Sequence, residues 1–103
     1  MIGIKVGPDE ELLCPHCGSI SIHHEHVKVF SRSEDEEKVA VTTITPTTRE
    51  AASITSVQTT AGKGNPSSRR HGLSISFRCE QCPEKFELDI AQHKGSTYVS
   101  WKR

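Results

Sequence analysis

Long apolar runs are missing from this chain of 103 residues, and so are most of the residues that build large cores. It has one tryptophan, one tyrosine, three phenylalanines and one methionine, and apolar residues reach 33%. No segment approaches the roughly 20 apolar residues of a membrane-spanning helix, so no membrane association is expected. The opening stretch, "MIGIKVGPDEELLC", has neither the basic start nor the apolar run of a secretion signal, and a cytoplasmic location is expected. No phosphate-cradling glycine loop and no Ser-His-Asp or Cys-His arrangement is legible. The chain therefore reads as non-catalytic, with no small-molecule substrate in view.

Charge of one sign is missing too. The 13 basic and 13 acidic residues cancel. A neutral domain is a poor generic nucleic-acid binder, because neutralising phosphates is what drives such binding. The balance is uneven along the chain. Residues 1–40 carry four basic and eight acidic groups, whereas 61–79 carries Lys63, Arg69, Arg70 and Arg78 and no acid. Within that basic stretch, "SSRRHG" is the best candidate for gripping phosphates, with Lys63 and Arg78 to either side. Phe77, Phe86, Tyr98 and Trp101 would either stack on bases or form the core.

Cysteine is present, and in a pattern. "CPHCG" (Cys14–Gly18) and "CEQC" (Cys79–Cys82) share a two-residue spacing. In a reducing compartment such pairs favour metal over disulfides. A CxxC turn brings two thiolates to one ion, and two such turns complete the tetrahedron that zinc prefers. Cys14, Cys17, Cys79 and Cys82 are thus expected to hold one Zn2+ per chain. Iron suits the same four thiolates, and a disulfide within each pair is the alternative. Such a staple would offset the thin core, which is marginal by itself at this length. With all four positions taken by sulfur, no site is left for a catalytic water.

The rest of the chain reads as strands and loops. Residues 1–11 read as a loose arm in which "PDEE" suits a helix cap. Alternation predicts strands near 19–31, 38–45, 73–79, 85–91 and 97–101. In the first of these the apolar set changes face near His26, which predicts a bulge, a twist or burial on both sides. "SEDEEK" makes an acidic turn, and "QHKGS" makes another in which Gly95 suits positive φ. Residues 46–72 are rich in Ser and Thr and read as a long flexible insertion within a single domain spanning 1–103. Inside that insertion, Ala51, Ile54 and Val57 have the spacing of a short helix.

"CPHCG" and "CEQCPEKF", with alternating strands around the second, resemble the zinc ribbons over roughly 12–30 and 73–101. The stretch "CEQCPEKFELDIAQHKGSTYVSW" is also similar to small bacterial or phage zinc-ribbon proteins with a like "QHKG-T" segment. The resemblance implies two knuckles facing each other across one structural zinc, set among antiparallel β-hairpins in a mostly β fold. It implies no activity. The usual interval between the pairs is about 15–20 residues, whereas 61 lie between Cys17 and Cys79. Closure entropy grows only logarithmically with length, so the longer loop is tolerable. An acidic hairpin tip is also a partial likeness to the transcript-cleavage ribbons, although those acids sit on the ribbon's own hairpin.

"HHEH" places His23, His24 and His26 within four residues. His24 and His26 would share a strand face with Glu25 opposite, which is no convergent site. His16 points away from the ion if both neighbouring cysteines bind, and His93 reads as a turn residue. Three functions follow as expectations: a module that docks on another protein, a nucleic-acid-binding ribbon using Lys63, Arg69, Arg70 and Arg78, and a CxxC thiol redox protein.

Overall fold

The structure is a computed structural model and describes residues 3–33, 37–45, 53–59, 64–68 and 70–103, with backbone alone over 53–59. Every regular element among them is a strand: β1 (Ile22–Ser31), β2 (Val39–Thr45), β3 (Ser53–Thr59), β4 (Gly72–Cys79), β5 (Lys85–His93) and β6 (Ser96–Lys102). They form one antiparallel sheet in the order β3-β2-β1-β4-β5-β6. Two three-stranded meanders are therefore joined side by side, through β1 and β4. No helix among the described residues is long and apolar enough to cross a membrane.

The strands follow from alternation. Leu73, Ile75, Phe77 and Cys79 fall on one face of β4, and Ser74, Ser76 and Arg78 on the other. Partners across an antiparallel pair share a face, so the register carries this division over the sheet. An aromatic face collects Ile22, Val27 and Val29 of β1, Phe86, Leu88 and Ile90 of β5, and Val99 and Trp101 of β6. A charged face collects Lys28, Arg78, Lys85, Glu87, Asp89 and Lys102. The expected bulge is present: the β1–β4 register shifts between His24 and Val27. It lets β1 turn its later valines to the aromatic face.

Some expectations fail locally. The helical spacing of Ala51, Ile54 and Val57 makes no helix; Ser53–Thr59 pairs along the whole of β2, with Ile54 opposite Ile44 and Val57 opposite Val41. The ladder offered by β2 outweighs a weak helical preference in a stretch of β-branched residues. In the 94–95 turn, positive φ falls on Lys94 (55°), not on Gly95. The expected flexible insertion over 46–72 lies partly outside the described residues, at 46–52, 60–63 and 69. Within it, β3 is a paired strand, and 64–68 and 70–71 are tied to the sheet. The acidic 34–36 segment also lies outside the described residues.

Two segments cover the sheet, diagonally. The arm over 3–13 is not loose, nor does it form a helical turn. Val6 bridges Leu12, Gly7 N–H donates to the Glu11 carbonyl at 2.8 Å, and Glu10 takes φ 64°. Ile4 and Leu12 then pack on the aromatic face beside Cys14, Phe77, Phe86 and Trp101. There the rings of Phe77 and Phe86 stack at 5.9 Å, and Trp101 meets both edge-on at 5.4 and 5.1 Å. The second cover, of residues 64–68 and 70–71, crosses the charged face at the other end. Asn65 Oδ1 accepts from Ser67 N–H, Ser67 Oγ–H donates to the Gln92 carbonyl at 2.7 Å, and Arg32 donates to the Ser68 carbonyl. Beneath it Phe30 and Val39 are fully buried. A Cβ on Gly72 would collide with Asn65 Oδ1 and Pro66, so the crossing needs glycine there.

Between the covers, the charged face carries a carboxyl pair. Ser74 Oγ–H donates to Glu87 Oε2 at 2.7 Å, and Asp89 Oδ1 is buried with no partner. Burial, then the neighbouring Glu87, pushes the Asp89 carboxyl up to about 7 from 3.8. Burial opposes ionisation of Glu87, yet bonds from Asp89 and Ser74 and the charges of Lys102 and Lys28 hold it below its ordinary value. Protonated Asp89 contributes stability in acid that is lost as pH rises through about 7. Asp89→Asn should therefore gain on the parent as pH rises from about 4 to about 7, read as the difference in urea midpoint between the two metal-loaded proteins at each pH; a difference that does not change with pH would contradict the assignment. Removing the Trp101 ring should cost about 3–5 kcal/mol in the same measurement, and a loss under about 1 kcal/mol would mean the arm and the rings do not form the core.

Candidate metal centre

The first CxxC turn is closed by its own backbone. Gly18 N–H donates to the Cys14 carbonyl at 2.9 Å, and Cys14 N–H donates to the Ser19 carbonyl at 2.8 Å. Gly18 holds φ 80° to make that return, a region that costs other residues about 1–2 kcal/mol. The second turn joins β4 to β5, and Gln81 N–H donates to Cys79 Sγ at 3.3 Å. Pairing then brings the turns together. Ile22 at the start of β1 lies opposite Cys79 at the end of β4, and Glu80 N–H donates to the Ser21 carbonyl at 3.0 Å.

The four sulfurs converge as a result. Cys14 and Cys82 sulfurs are 3.8 Å apart, Cys17 and Cys79 sulfurs 3.6 Å, and all four lie within 4.8 Å of one another. All are free thiols. A tetrahedron with metal–sulfur bonds of about 2.3 Å has edges of about 3.8 Å. The set thus fits one metal ion shared between the two turns. Cys14 and Cys79 are buried against the aromatic cluster, and Cys17 faces outward.

Four thiols this close cannot all ionise unaided. Cys79 is the easiest to ionise: burial works against it, but N–H groups of Gln81 and Cys82 and the neighbouring thiols bring it down to about 7. A bond from Glu84 N–H favours the Cys82 thiolate, yet burial and the other three thiols push it up to about 12. Ser19 N–H helps Cys17 in the same way, and burial with the Cys79 and Cys14 thiols still raises it. A divalent cation removes this mutual repulsion, which is the physical reason the cluster suits one.

The histidines go three ways. His23 Nε2 meets Glu80 Oε2 at 2.7 Å, His24 stands edge-on to Phe77, and His26 Nδ1 meets Thr45 Oγ1 at 3.2 Å. The four cysteines are the one metal-binding group found among the described residues. His16 packs its ring on Phe86 at 5.9 Å with Nε2 buried and unpartnered, and His93 ends β5 exposed. Of the basic candidates, Lys63 and Arg69 lie outside the described residues. Arg70 sits in the 64–71 crossing, with its N–H on Ser67 Oγ and its carbonyl on Asn65. Arg78 is 3.8 Å from Glu25 at the metal end. The length of β4, about 23 Å, separates these two arginines. Phe77, Phe86 and Trp101 are buried, and Tyr98 is exposed.

Sequence reasoning found the four converging cysteines and missed what supports them. Glu80 and Gln81 carry no motif. The "NPSS" turn of the crossing is legible as Asx-turn chemistry, but nothing in it announces that Ser67 will be buried. No family model matches this chain, and neither a curated protein nor a solved structure matches it significantly.

Metal retention should weaken on acidification, because each bound thiolate must take up a proton to leave. Competition with a chromogenic chelator from pH 8 to pH 5 should show loss steeper than one proton per ion. A flat profile would mean that fewer than two thiolates hold it.

Proposed function

We propose that this chain is a zinc-ribbon module in which Cys14, Cys17, Cys79 and Cys82 hold one structural Zn2+, and that it works without catalysis by docking on another protein. The observation that carries the metal part is the sulfur spacing, 3.6 and 3.8 Å across the two turns. It matches a tetrathiolate tetrahedron, a closed donor set typical of structural sites. Such an ion ties the arm and β1 to the β4–β5 turn. In small peptides that binding is worth on the order of 10–16 kcal/mol at neutral pH, and it becomes folding free energy. Iron meets the same geometry, so the metal's identity rests on elemental analysis.

The docking part is supported by zero net charge and by the placement of the arginines. Arg70 and Arg78 stand at opposite ends of β4, and three of the four candidate stacking aromatics are in the core. A nucleic-acid reading would then depend on Lys63 and Arg69. It predicts affinity that falls steeply with salt and with Arg69→Ala/Arg70→Ala. A thiol-redox reading has one observation of its own, the Cys79 thiol brought down to about 7. Fast alkylation of the protein as isolated would favour it.

Native mass spectrometry with elemental analysis tests the metal part. One zinc per chain is expected, lost in Cys79→Ser together with the fold as read by circular dichroism. A metal-free, folded chain two or four protons lighter would overturn it in favour of disulfides.

A further inference from the structure

The four sulfurs of the cluster are not equivalent. Cys14 and Cys79 are buried with Phe77, Phe86 and Trp101. Cys79 is also the last residue of β4, held opposite Ile22 by the ladder. Neither side chain can swing away without opening the core or the sheet. Cys82 is half-buried and packs against the same cluster. Cys17 is exposed and lies in no strand. Gly18 follows it, at a point where an added Cβ would meet nothing within 4 Å. One donor of the four thus stands where both an incoming reagent and a departing side chain have room.

That room is a groove. About 390 Å³ opens beside Cys17, lined by Gly3, Lys5 and Leu13 of the arm, Pro15 and Gly18 of the turn, and Trp101 of β6. Its size falls within the roughly 300–1,000 Å³ of small-molecule clefts. Among the described residues its lining carries one charge, the Lys5 ammonium, and no acidic group. Four thiolates around a divalent ion leave a net charge of −2, which repels an approaching anion. A cation on the approach offsets that repulsion. Soft sulfur suits such an ion, so a thiol is the donor that replaces a thiolate in kind.

On the reading that the four cysteines hold one ion, we propose that Cys17 is the donor that lets go, and that the groove over it is where a small anionic thiol takes its place. The exchange needs no oxidant. The metal–sulfur bond to Cys17 breaks, one to the incoming sulfur forms, and the proton leaving the incoming thiol ends on Cys17 Sγ. Cys14, Cys79 and Cys82 keep their places meanwhile, so the first step opens neither the core nor the sheet. Loading and unloading of the cluster then run through this one opening, on the side of the sheet that the arm covers.

The test uses the full, zinc-loaded chain, with metal content measured on every sample. A pulse of light N-ethylmaleimide, followed by unfolding in chelator and heavy reagent, gives the labelling order by tandem mass spectrometry. Labelling is slow overall because every sulfur is bound, and Cys17 should react about tenfold or more ahead of Cys14, Cys79 and Cys82. Zinc transfer to a chromogenic chelator should accelerate with added glutathione, an anionic thiol. Lys5→Glu, at an exposed position, should cut that acceleration by about threefold or more and leave the effect of neutral 2-mercaptoethanol unchanged. Labelling shared equally, or led by another cysteine, in a chain holding one zinc would overturn the proposal while the metal site stands. Equal response of the two thiols to Lys5→Glu would overturn the groove as the place of exchange. A chain that binds no ion would overturn both the site and the exchange.

Discussion

Pairing of β1 with β4 is the constraint on which everything else depends. It joins the two meanders into one sheet. It also sets Ile22 opposite Cys79, so that a turn just before β1 and a turn just after β4 arrive at the same end of the same two strands. A slip of one residue would send every side chain of β1 to the other face. It would also move Cys14 and Cys17 out of reach of their partners. The register is therefore held from both sides, by the aliphatic residues along β1 and by the sulfurs at its end. The bulge between His24 and Val27 reconciles the two, because Ile22 and the later valines need the same face while the intervening histidines do not.

This explains why a long interval between the cysteine pairs does no harm. The residues between Cys17 and Cys79 are largely folded: they form β1, β2, β3, the crossing and β4 itself. The excursion leaves from beside the second turn and returns to it along neighbouring strands. What closes the site is thus a ladder of backbone bonds, and a metal bound there would add to a geometry that the sheet has already selected.

Much of this was legible in the residues. Leu73, Ile75 and Phe77 alternate with Ser and Arg, as do Phe86, Leu88 and Ile90, and each became a strand with the expected face inward. The change of phase around His26 marked the bulge. Cys14, Cys17, Cys79 and Cys82 were identifiable from spacing alone. β3 was not, because Ser, Thr and Gln carry little periodic signal and its pairing is decided by the free edge of β2. The crossing was not, because Asn65 and Ser67 act through hydrogen bonds to distant backbone. The carboxyl pair was not either: Glu87 and Asp89 look like ordinary solvent-facing alternates until Ser74, Lys28 and Lys102 gather beside them from three other strands. The His23–Glu80 contact belongs to the same class, as a meeting of residues that only the register brings together.

The separation of the two turns has a consequence during synthesis. Cys14 and Cys82 are 68 positions apart. At about 5–20 residues per second, the first pair leaves the ribosome roughly 3–14 s before the second. For that interval the two thiols of the first turn stand with half of the candidate donor set, open to oxidation. β4, β5 and β6, a local meander, emerge together, after the first three strands. These strands therefore complete both the sheet and the four-sulfur cluster, and until they are made the first two thiols lack the partners with which they could hold an ion.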